Sequence, residues 1–145
     1  MTTIAWTGSE VAGDTRGTIV ELIQQSPTEK LIKRKGVIYC LTGDLAQCLA
    51  VVDWLSSGAD IDEAPTFLEE PEFDILAIHD SVTGYVYASE YYAYRVDPPF
   101  TLGTGHALAL GAILAGAGAK RAVEVSAMAD INTGLPVQLM KVKNG

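Results

Sequence analysis

The second residue of the chain brings together two groups that could act as one catalyst. The sequence begins Met1-Thr2, and threonine is small enough for methionine aminopeptidase to act before it. Thr2 would then carry a hydroxyl nucleophile and a terminal α-amine that can serve as its base. Many proteins begin Met-Thr, so this start predicts a hydrolase only when other segments support it.

Four further segments carry the residue types that such a nucleophile needs. They are Ala12–Arg16, Thr28–Leu31, Cys40–Gly43 and Asp130–Gly134. Together with Thr2-Thr3-Ile4, and in this order, they resemble the proteasome β-subunit family, which includes the bacterial HslV peptidase. Two more segments, Phe73–Ala77 and Pro99–Gly105, agree with the same family. The resemblance therefore covers nearly the whole chain, and the shared order of short motifs makes it specific.

The resemblance implies a role for each charged residue near Thr2. The Thr2 amine must be neutral to accept a proton, and Lys30 is the cation that would lower its pKa. Asp14 is the carboxylate that would pair with Lys30 and hold it in place. Gly43 would give its backbone N–H to the oxyanion of the tetrahedral intermediate. Glycine would suit that place because the substrate backbone must come close.

Three more residues and two leucines complete the site that the resemblance implies. Thr104 matches the serine of the family's Gly-Ser-Gly turn, and Asp130 with Thr133 matches its Asp-x-x-Ser pair around the threonine amine. Threonine keeps the hydroxyl of serine, so the hydrogen bonds stay available. Leu41 and Leu45 would flank the pocket for the residue that precedes the scissile bond, which predicts a preference for apolar residues there. No cofactor or metal is implied.

Each of these residues also has an ordinary structural explanation. Lys30 could be one of several loop charges, Asp14 could close a turn with Thr15, and Gly43 could be a turn before a helix. Asp130 could cap the last helix. Only the combination favours catalysis. His79 and His106 have no evident triad or metal partners and are interpreted as structural.

The composition narrows the class of protein. A chain of 145 residues predicts one domain spanning 1–145, and 48% apolar residues argue against disorder. The net charge of -8 argues against nucleic acid and anionic membranes as partners. Cys40 and Cys48 are interpreted as reduced core thiols of a cytoplasmic protein. We expect no signal peptide, and the apolar stretch Ala107–Ala117 is too short to span a bilayer.

Periodicity and turn residues predict the elements that position the motifs. Strands are expected at 2–7, 11–14, 18–25, 31–33, 37–41, 73–79, 85–88, 91–96 and 137–142. Helices are expected from an Asp44 cap to about 57, at 105–115 and at 120–129. Segregated runs of strands and helices favour an α+β fold. With the resemblance, this becomes a four-layer αββα sandwich of the N-terminal nucleophile hydrolase type.

The chain departs from the family after its first helix. An acidic, proline-broken loop at Ala59–Pro71 replaces a second, antiparallel helix, so we expect a reduced first helix layer. In the family that layer contributes to surfaces for neighbouring rings or an ATPase, so docking to a standard ATPase unfoldase is in doubt.

The sequence predicts a threonine-type peptidase that cleaves peptides or unfolded proteins inside a ring. The 105–115 helix is apolar nearly all round, which predicts burial against another subunit in a closed homo-oligomer, stacked as two rings. Two alternatives remain open. One is a catalytically inactive ring or scaffold subunit, and the other is a small-molecule amidase that uses the same nucleophile.

Overall fold

Two antiparallel sheets lie face to face at the centre of the fold. The computed structural model describes residues 2–19, 22–88, 91 and 93–145. In chain order the elements are β1 (Thr3–Trp6), β2 (Glu10–Asp14), β3 (Thr18–Ile19), β4 (Leu22–Ile23), β5 (Leu31–Arg34), β6 (Val37–Gly43), α1 (Leu45–Ser56), β7 (Phe73–Asp80), β8 (Thr83–Tyr87), β9 (Ala93–Val96), β10 (Phe100–Gly103), α2 (His106–Leu114), α3 (Ala119–Ala127) and β11 (Val137–Lys141). The four-stranded sheet has the order β10-β1-β2-β11, and the five-stranded sheet has the order β5-β6-β7-β8-β9.

Alternation along the strands divides the apolar residues between layers. In β6, Ile38 and Cys40 join the cluster between the two sheets, which also contains Ile4 and Trp6 of β1. The intervening residues of β6 face the opposite way and pack under α1 with its buried residues Val51 and Val52. On the other side, small residues of β1 and β2 meet α2 and α3. The order of layers is therefore α1, five-stranded sheet, four-stranded sheet, α2 with α3.

This architecture confirms the predicted αββα sandwich, and the first helix layer holds one α-helix. Asp44 caps α1 by accepting a hydrogen bond from the N–H of Gln47 at 3.0 Å, as its position before the helix predicts. The predicted loop after α1 contains only a short 3-10 turn at Ile61–Glu63. No described helix combines the length and apolarity needed to cross a bilayer.

The largest error in the predicted elements concerns β10. Residues 100–103 were expected only to lead into a helix, yet they form an edge strand that pairs with β1 from Thr3↔Gly103 to Trp6↔Phe100. The expected strand at 18–25 is instead the antiparallel pair β3 and β4, with residues 20 and 21 outside the described part. The expected strand from Tyr91 begins at Ala93, and residue 92 lies outside the described part.

Candidate active site

Thr2 lies where two cavities meet, at the start of an inner strand of the four-stranded sheet. It directly precedes β1, and the residue is 4% exposed to solvent. A wider cavity of about 720 Å³ is lined by Thr2, Thr42, Gly43, Pro71, Glu72, Phe73, Asp74, Leu102, Gly103, Thr104 and His106. A narrower cavity of about 350 Å³ is lined by Thr2, Arg16, Gly17, Thr18, Gln24, Thr28, Lys30, Leu41, Gly43, Asp44, Leu45 and Glu72. Thr2, Gly43 and Glu72 border both.

A buried ion pair lies beside Thr2. Asp14 is the last residue of β2 and is fully buried, and its Oδ1 atom accepts a hydrogen bond from Lys30 Nζ at 3.0 Å. The same carboxylate accepts backbone N–H bonds from Thr3 at 2.9 Å, Gly134 at 3.1 Å and Arg16 at 3.2 Å. Four donors compensate the loss of water around the buried charge. The predicted pairing of Asp14 with Lys30 is therefore present.

Burial makes the charged form of Lys30 less stable. It lowers the pKa of the ammonium, and the neighbouring Asp14 carboxylate only partly offsets this effect. Lys30 lies just before β5, where the side-chain amide of Gln138 on β11 binds the chain. Its Oε1 atom accepts from the N–H groups of Lys30 at 3.3 Å and Leu31 at 3.1 Å, and its Nε2 donates to the Leu31 carbonyl at 2.9 Å. Gln138 thus joins the two sheets at the base of Lys30.

Asp130 organises a second polar cluster on the other side of Thr2. Its Oδ2 atom accepts hydrogen bonds from the hydroxyls of Thr133 at 2.6 Å and Thr104 at 2.7 Å, and its Oδ1 accepts from the Asn132 N–H at 3.1 Å. Partial burial raises the pKa of Asp130, but the hydrogen bonds outweigh it, so the pKa lies below 3.8. Asp130 is therefore ionised at neutral pH.

A chain of hydroxyl groups connects Asp130 to β1. The oxygen atoms of Thr133 and Thr3 are 2.6 Å apart. Because the Thr133 proton goes to Asp130, Thr3 donates to Thr133. Thr104 connects the cluster to Thr2, since its hydroxyl also lies 3.4 Å from the Thr2 carbonyl. The Gly105 N–H lies 3.5 Å from the same carbonyl, so a turn surrounds the peptide of Thr2.

The turn before Thr104 requires glycine. Gly103 has φ of +95°, and a Cβ atom there would lie 2.1 Å from the Thr2 carbonyl oxygen. A side chain at 103 would therefore push the backbone of Thr2 out of its place.

Gly43 lies at the end of β6 with its N–H directed toward the narrower cavity. The N–H of Asp44 donates to the Glu72 carbonyl at 2.9 Å, so the facing residues Gly43 and Phe73 form a non-hydrogen-bonded pair of the ladder. In such a pair the N–H of Gly43 points away from β7. The N–H of Leu41, two residues earlier, also points away from β7 and donates to the Lys30 carbonyl at 2.8 Å. The N–H of Gly43 therefore points to the side where Lys30 lies.

The fold itself gives a reason for glycine at 43. Gly43 has φ of +94°, and a Cβ atom there would lie 2.1 Å from the carbonyl oxygen of Glu72. Close packing of the chain's own backbone therefore excludes a side chain at 43, whatever a substrate requires.

The two predicted specificity leucines differ in exposure. Leu41 is 2% exposed and packs in the cluster under α1, whereas Leu45 is 41% exposed at the start of α1. Both border the narrower cavity, and Leu45 is the more exposed of the two. The rest of the lining is largely polar and includes Arg16 and Glu72.

Sequence reasoning missed three residues at the site. Glu72 borders both cavities, Gln138 holds the base of Lys30, and Thr3 extends the Asp130 network. Gln138 carried a usable signal, because it is a lone amide in the otherwise apolar run Val137–Met140. His106, interpreted as structural, borders the wider cavity. Within the described residues, no group of three or more His, Cys, Asp or Glu side chains could hold a metal.

Comparisons with known proteins define the class of fold. No protein-family model and no curated protein sequence matches the chain. Solved structures match it over nearly its whole length. Eukaryotic HslV from Trypanosoma brucei superposes with a TM-score of 0.77 at 14% identity, over 99% of this chain and 100% of that one. The chain therefore has the fold of HslV-type N-terminal nucleophile hydrolases.

A bacterial protein has the same fold. BPH from Thiobacillus denitrificans matches with a TM-score of 0.73 at 20% identity, over 99% of this chain and 98% of that one. A second BPH structure, in complex with epoxomicin, matches with a TM-score of 0.74 at 19% identity and the same coverage. Together these matches confirm, at the level of the fold, the resemblance found in the sequence.

Proposed function

We propose that the chain is an N-terminal threonine peptidase that becomes active when Met1 is removed. The Thr2 hydroxyl oxygen attacks the carbonyl carbon of the scissile peptide bond, and the Thr2 amine takes the hydroxyl proton. The proton passes to the leaving amine as the C–N bond breaks, which leaves an ester on Thr2. Water then hydrolyses the ester and regenerates the hydroxyl. The observation that carries this proposal is Thr2 at the junction of two cavities, beside the buried Lys30–Asp14 pair.

The surrounding residues have complementary roles in this mechanism. The Lys30 cation lowers the pKa of the Thr2 amine, and Asp14 positions Lys30. The Gly43 N–H stabilises the oxyanion. The polar cluster of Asp130, Thr104 and Thr133 orients the amine. The narrower cavity receives the acyl half of the substrate, where Leu45 contacts its side chain, and the wider cavity receives the leaving half.

The complex of BPH with epoxomicin supplies a direct probe. The protein is prepared with Thr2 as the first residue, by cleavage of a leader, and in a second form that retains Met1. Only the first form should hydrolyse peptides and gain the mass of one epoxomicin per chain. Thr2→Ala should lose both properties, whereas Thr7→Ala, in the turn after β1, should keep both.

Each outcome distinguishes the candidate functions. Hydrolysis that persists in Thr2→Ala would refute the mechanism. Labelling of Thr2 without peptide hydrolysis would favour the amidase alternative. If the form that begins with Thr2 neither reacts nor hydrolyses, the chain is a scaffold or inactive ring subunit.

We also propose that copies of the chain assemble in a closed ring, stacked as two rings. Ala109 is the only buried residue of α2, while Leu108 and Leu114 are 41% and 73% exposed. An apolar helix left uncovered within one chain favours burial by another copy. A stable monomer at micromolar concentration, measured by mass photometry, would contradict this. Peptides or unfolded proteins are the expected substrates, an ATPase unfoldase is a further candidate partner, and the buried thiols of Cys40 and Cys48 suit the cytoplasm.

A further inference from the structure

Acidic and basic residues are segregated along the chain. Residues 36–94 contain eleven Asp or Glu residues and no Lys or Arg. Six of the eleven lie in the segment 59–72, which we call the acidic loop. They are Asp60, Asp62, Glu63, Glu69, Glu70 and Glu72, and all six are exposed.

Four of the basic residues form a second exposed patch. Lys33, Arg34 and Lys35 are consecutive and exposed at the turn between β5 and β6. Lys143 joins them, since its Nζ atom lies 3.6 Å from the place a Cβ on Gly36 would take. These four residues, which we call the basic turn, are four of only 10 Lys and Arg residues in the chain.

No ion pair between residues that the structure describes neutralises either patch. Among the described residues, the ion pairs are Lys30–Asp14 and Arg95–Asp97, which involve neither patch. The acidic loop also presents apolar groups to solvent, since Ile61 is 70% exposed and Leu68 is fully exposed. Exposed charge beside exposed apolar surface is typical of a site that another molecule covers.

The basic turn lies at one edge of the five-stranded sheet, and the acidic loop extends from the start of the inner strand β7 toward the opposite edge. The basic turn continues the edge strand β5, whereas the Tyr91 hydroxyl, just before the other edge strand β9, donates to the Pro65 carbonyl of the acidic loop at 2.6 Å. Five strands at a spacing of about 4.8 Å put roughly 19 Å between the edge strands. One patch of a chain is thus well placed to meet the opposite patch of the next chain.

We propose that the acidic loop of one copy docks on the basic turn of a second copy. The contact is head to tail, so each copy uses both patches, and it closes into a ring when the rotation between copies allows. This inference deepens the ring arrangement proposed above and rests on it, but it does not require Thr2 to be catalytic. Docking would also support the active site, because the loop ends at Glu72, which borders both cavities.

Charge-reversal variants test the contact. One carries Lys33→Glu with Arg34→Glu, a second carries Glu69→Lys with Glu70→Lys, and a third carries all four changes. Lys120→Glu with Arg121→Glu on α3 is the matched control, because it changes the net charge as much as the first variant. The mass distribution of each protein, and of an equimolar mixture of the first two, is measured against concentration and salt.

The head-to-tail contact predicts a specific pattern. Each single-patch variant should need roughly tenfold or more higher concentration to assemble, because like charges then face each other. The equimolar mixture should recover the wild-type mass, since the reversed turn of one variant fits the reversed loop of the other. The four-change variant should assemble alone, and the control should behave as the wild type. Salt should weaken wild-type assembly.

Other outcomes would overturn the proposal. Wild-type assembly by both single-patch variants, or a mixture that stays dissociated, would show that these patches do not meet. Aggregation of the Lys33→Glu, Arg34→Glu variant without recovery on mixing would show that the basic turn only protects an edge strand. A monomeric wild type would remove both this contact and the ring, whereas an assembled but inactive wild type would refute only the peptidase.

Discussion

Two regions beside Thr2 are built in opposite ways. One is the set of polar residues around Asp14, Lys30 and Asp130, which we call the wall, and the other is the acidic loop. Behind Thr2, buried Asp14 accepts hydrogen bonds from Lys30 and from the backbone N–H groups of Thr3, Arg16 and Gly134. In front, the acidic loop is exposed and contacts the body through a few bonds, such as the Glu72 N–H to the Gln47 Oε1 atom at 2.8 Å. A satisfied buried network accepts few residue types, whereas an exposed loop accepts many. Catalytic chemistry should therefore depend on the wall, and substrate choice and assembly on the loop side.

The largest expected effect comes from breaking the wall at Lys30. Lys30→Met keeps the apolar stem but leaves Asp14 as an unpaired buried charge, which should cost about 3–5 kcal/mol of unfolding free energy. Turnover should fall about 10²–10⁴-fold, because the Thr2 amine would lose the cation on which its action as a positioned base depends. Lys120→Met on the exposed face of α3 is the control. Chemical denaturation and peptide hydrolysis measure the two effects.

The pH profile separates the two roles of Lys30. In the wild type, the rate should rise as the Thr2 amine loses its proton, which reports the effect of Lys30 on that amine. If the Lys30 cation also stabilises the charge that develops in the transition state, the rate should fall as Lys30 loses its proton, below 10.5, because burial lowers the pKa of Lys30. Lys30→Met should move the rising limb to higher pH and remove the falling one. A profile that keeps both limbs would exclude Lys30 from the mechanism.

The contrast between the wall and the acidic loop also explains how well each region could be predicted from the sequence. The wall was predictable because Asp14, Lys30 and Asp130 lie in short motifs whose order is itself informative. β10 was not, because Phe100–Gly103 is an edge strand whose pairing with β1 depends on residues nearly 100 positions away. Gln138 was missed because its role, a bridge between two sheets, exists only once the sheets have stacked. The front of the site was least predictable, since Glu72 reaches Gly43 only through tertiary packing.

The next prediction tests the boundary between the two regions at Gly43. Gly43→Ala and Gly58→Ala both place a side chain at positive φ, +94° and +113°, and this backbone conformation alone should cost each roughly 1–2 kcal/mol of stability. Only Gly43→Ala collides with the Glu72 carbonyl, whereas nothing lies within 4 Å of a Cβ at Gly58. Gly43→Ala should therefore also lose roughly 100-fold in turnover as the oxyanion donor shifts. Equal activity of the two variants would remove Gly43 from the site.

A smaller effect is expected from weakening the wall at Asp130. Asp130→Asn keeps the shape but removes the charge that the hydroxyls of Thr104 and Thr133 bind, so turnover should fall about tenfold. The folded-state pKa of Asp130 lies below 3.8, so its carboxylate stabilises the fold above that pH and loses this effect as the pH falls. The stability advantage of the wild type over Asp130→Asn should thus shrink below pH 3.8. Asp53→Asn on the exposed face of α1 should change neither property.

The smallest expected effect lies on the substrate side, at Leu45. Leu45 and Leu49 are similarly exposed, at 41% and 38%, and lie one helical turn apart on α1, but only Leu45 borders the narrower cavity. Leu45→Ala removes apolar contact worth about 1 kcal/mol, so KM for peptides with leucine before the scissile bond should rise roughly fivefold. Because this contact exists equally in the bound substrate and in the transition state, kcat should hardly change.

Leu49→Ala is the matched control for Leu45→Ala and should leave both kinetic constants unchanged. Leu45→Glu sharpens the test, because a carboxylate at the mouth of the narrower cavity should shift the preference from leucine toward lysine at that substrate position. Lys30 and Arg16 border the same cavity and would partly neutralise the new charge, so the shift should be modest. If Leu45→Ala and Leu49→Ala have the same effect on KM, the acyl half of the substrate does not occupy the narrower cavity, and the two cavities would have to exchange their proposed roles.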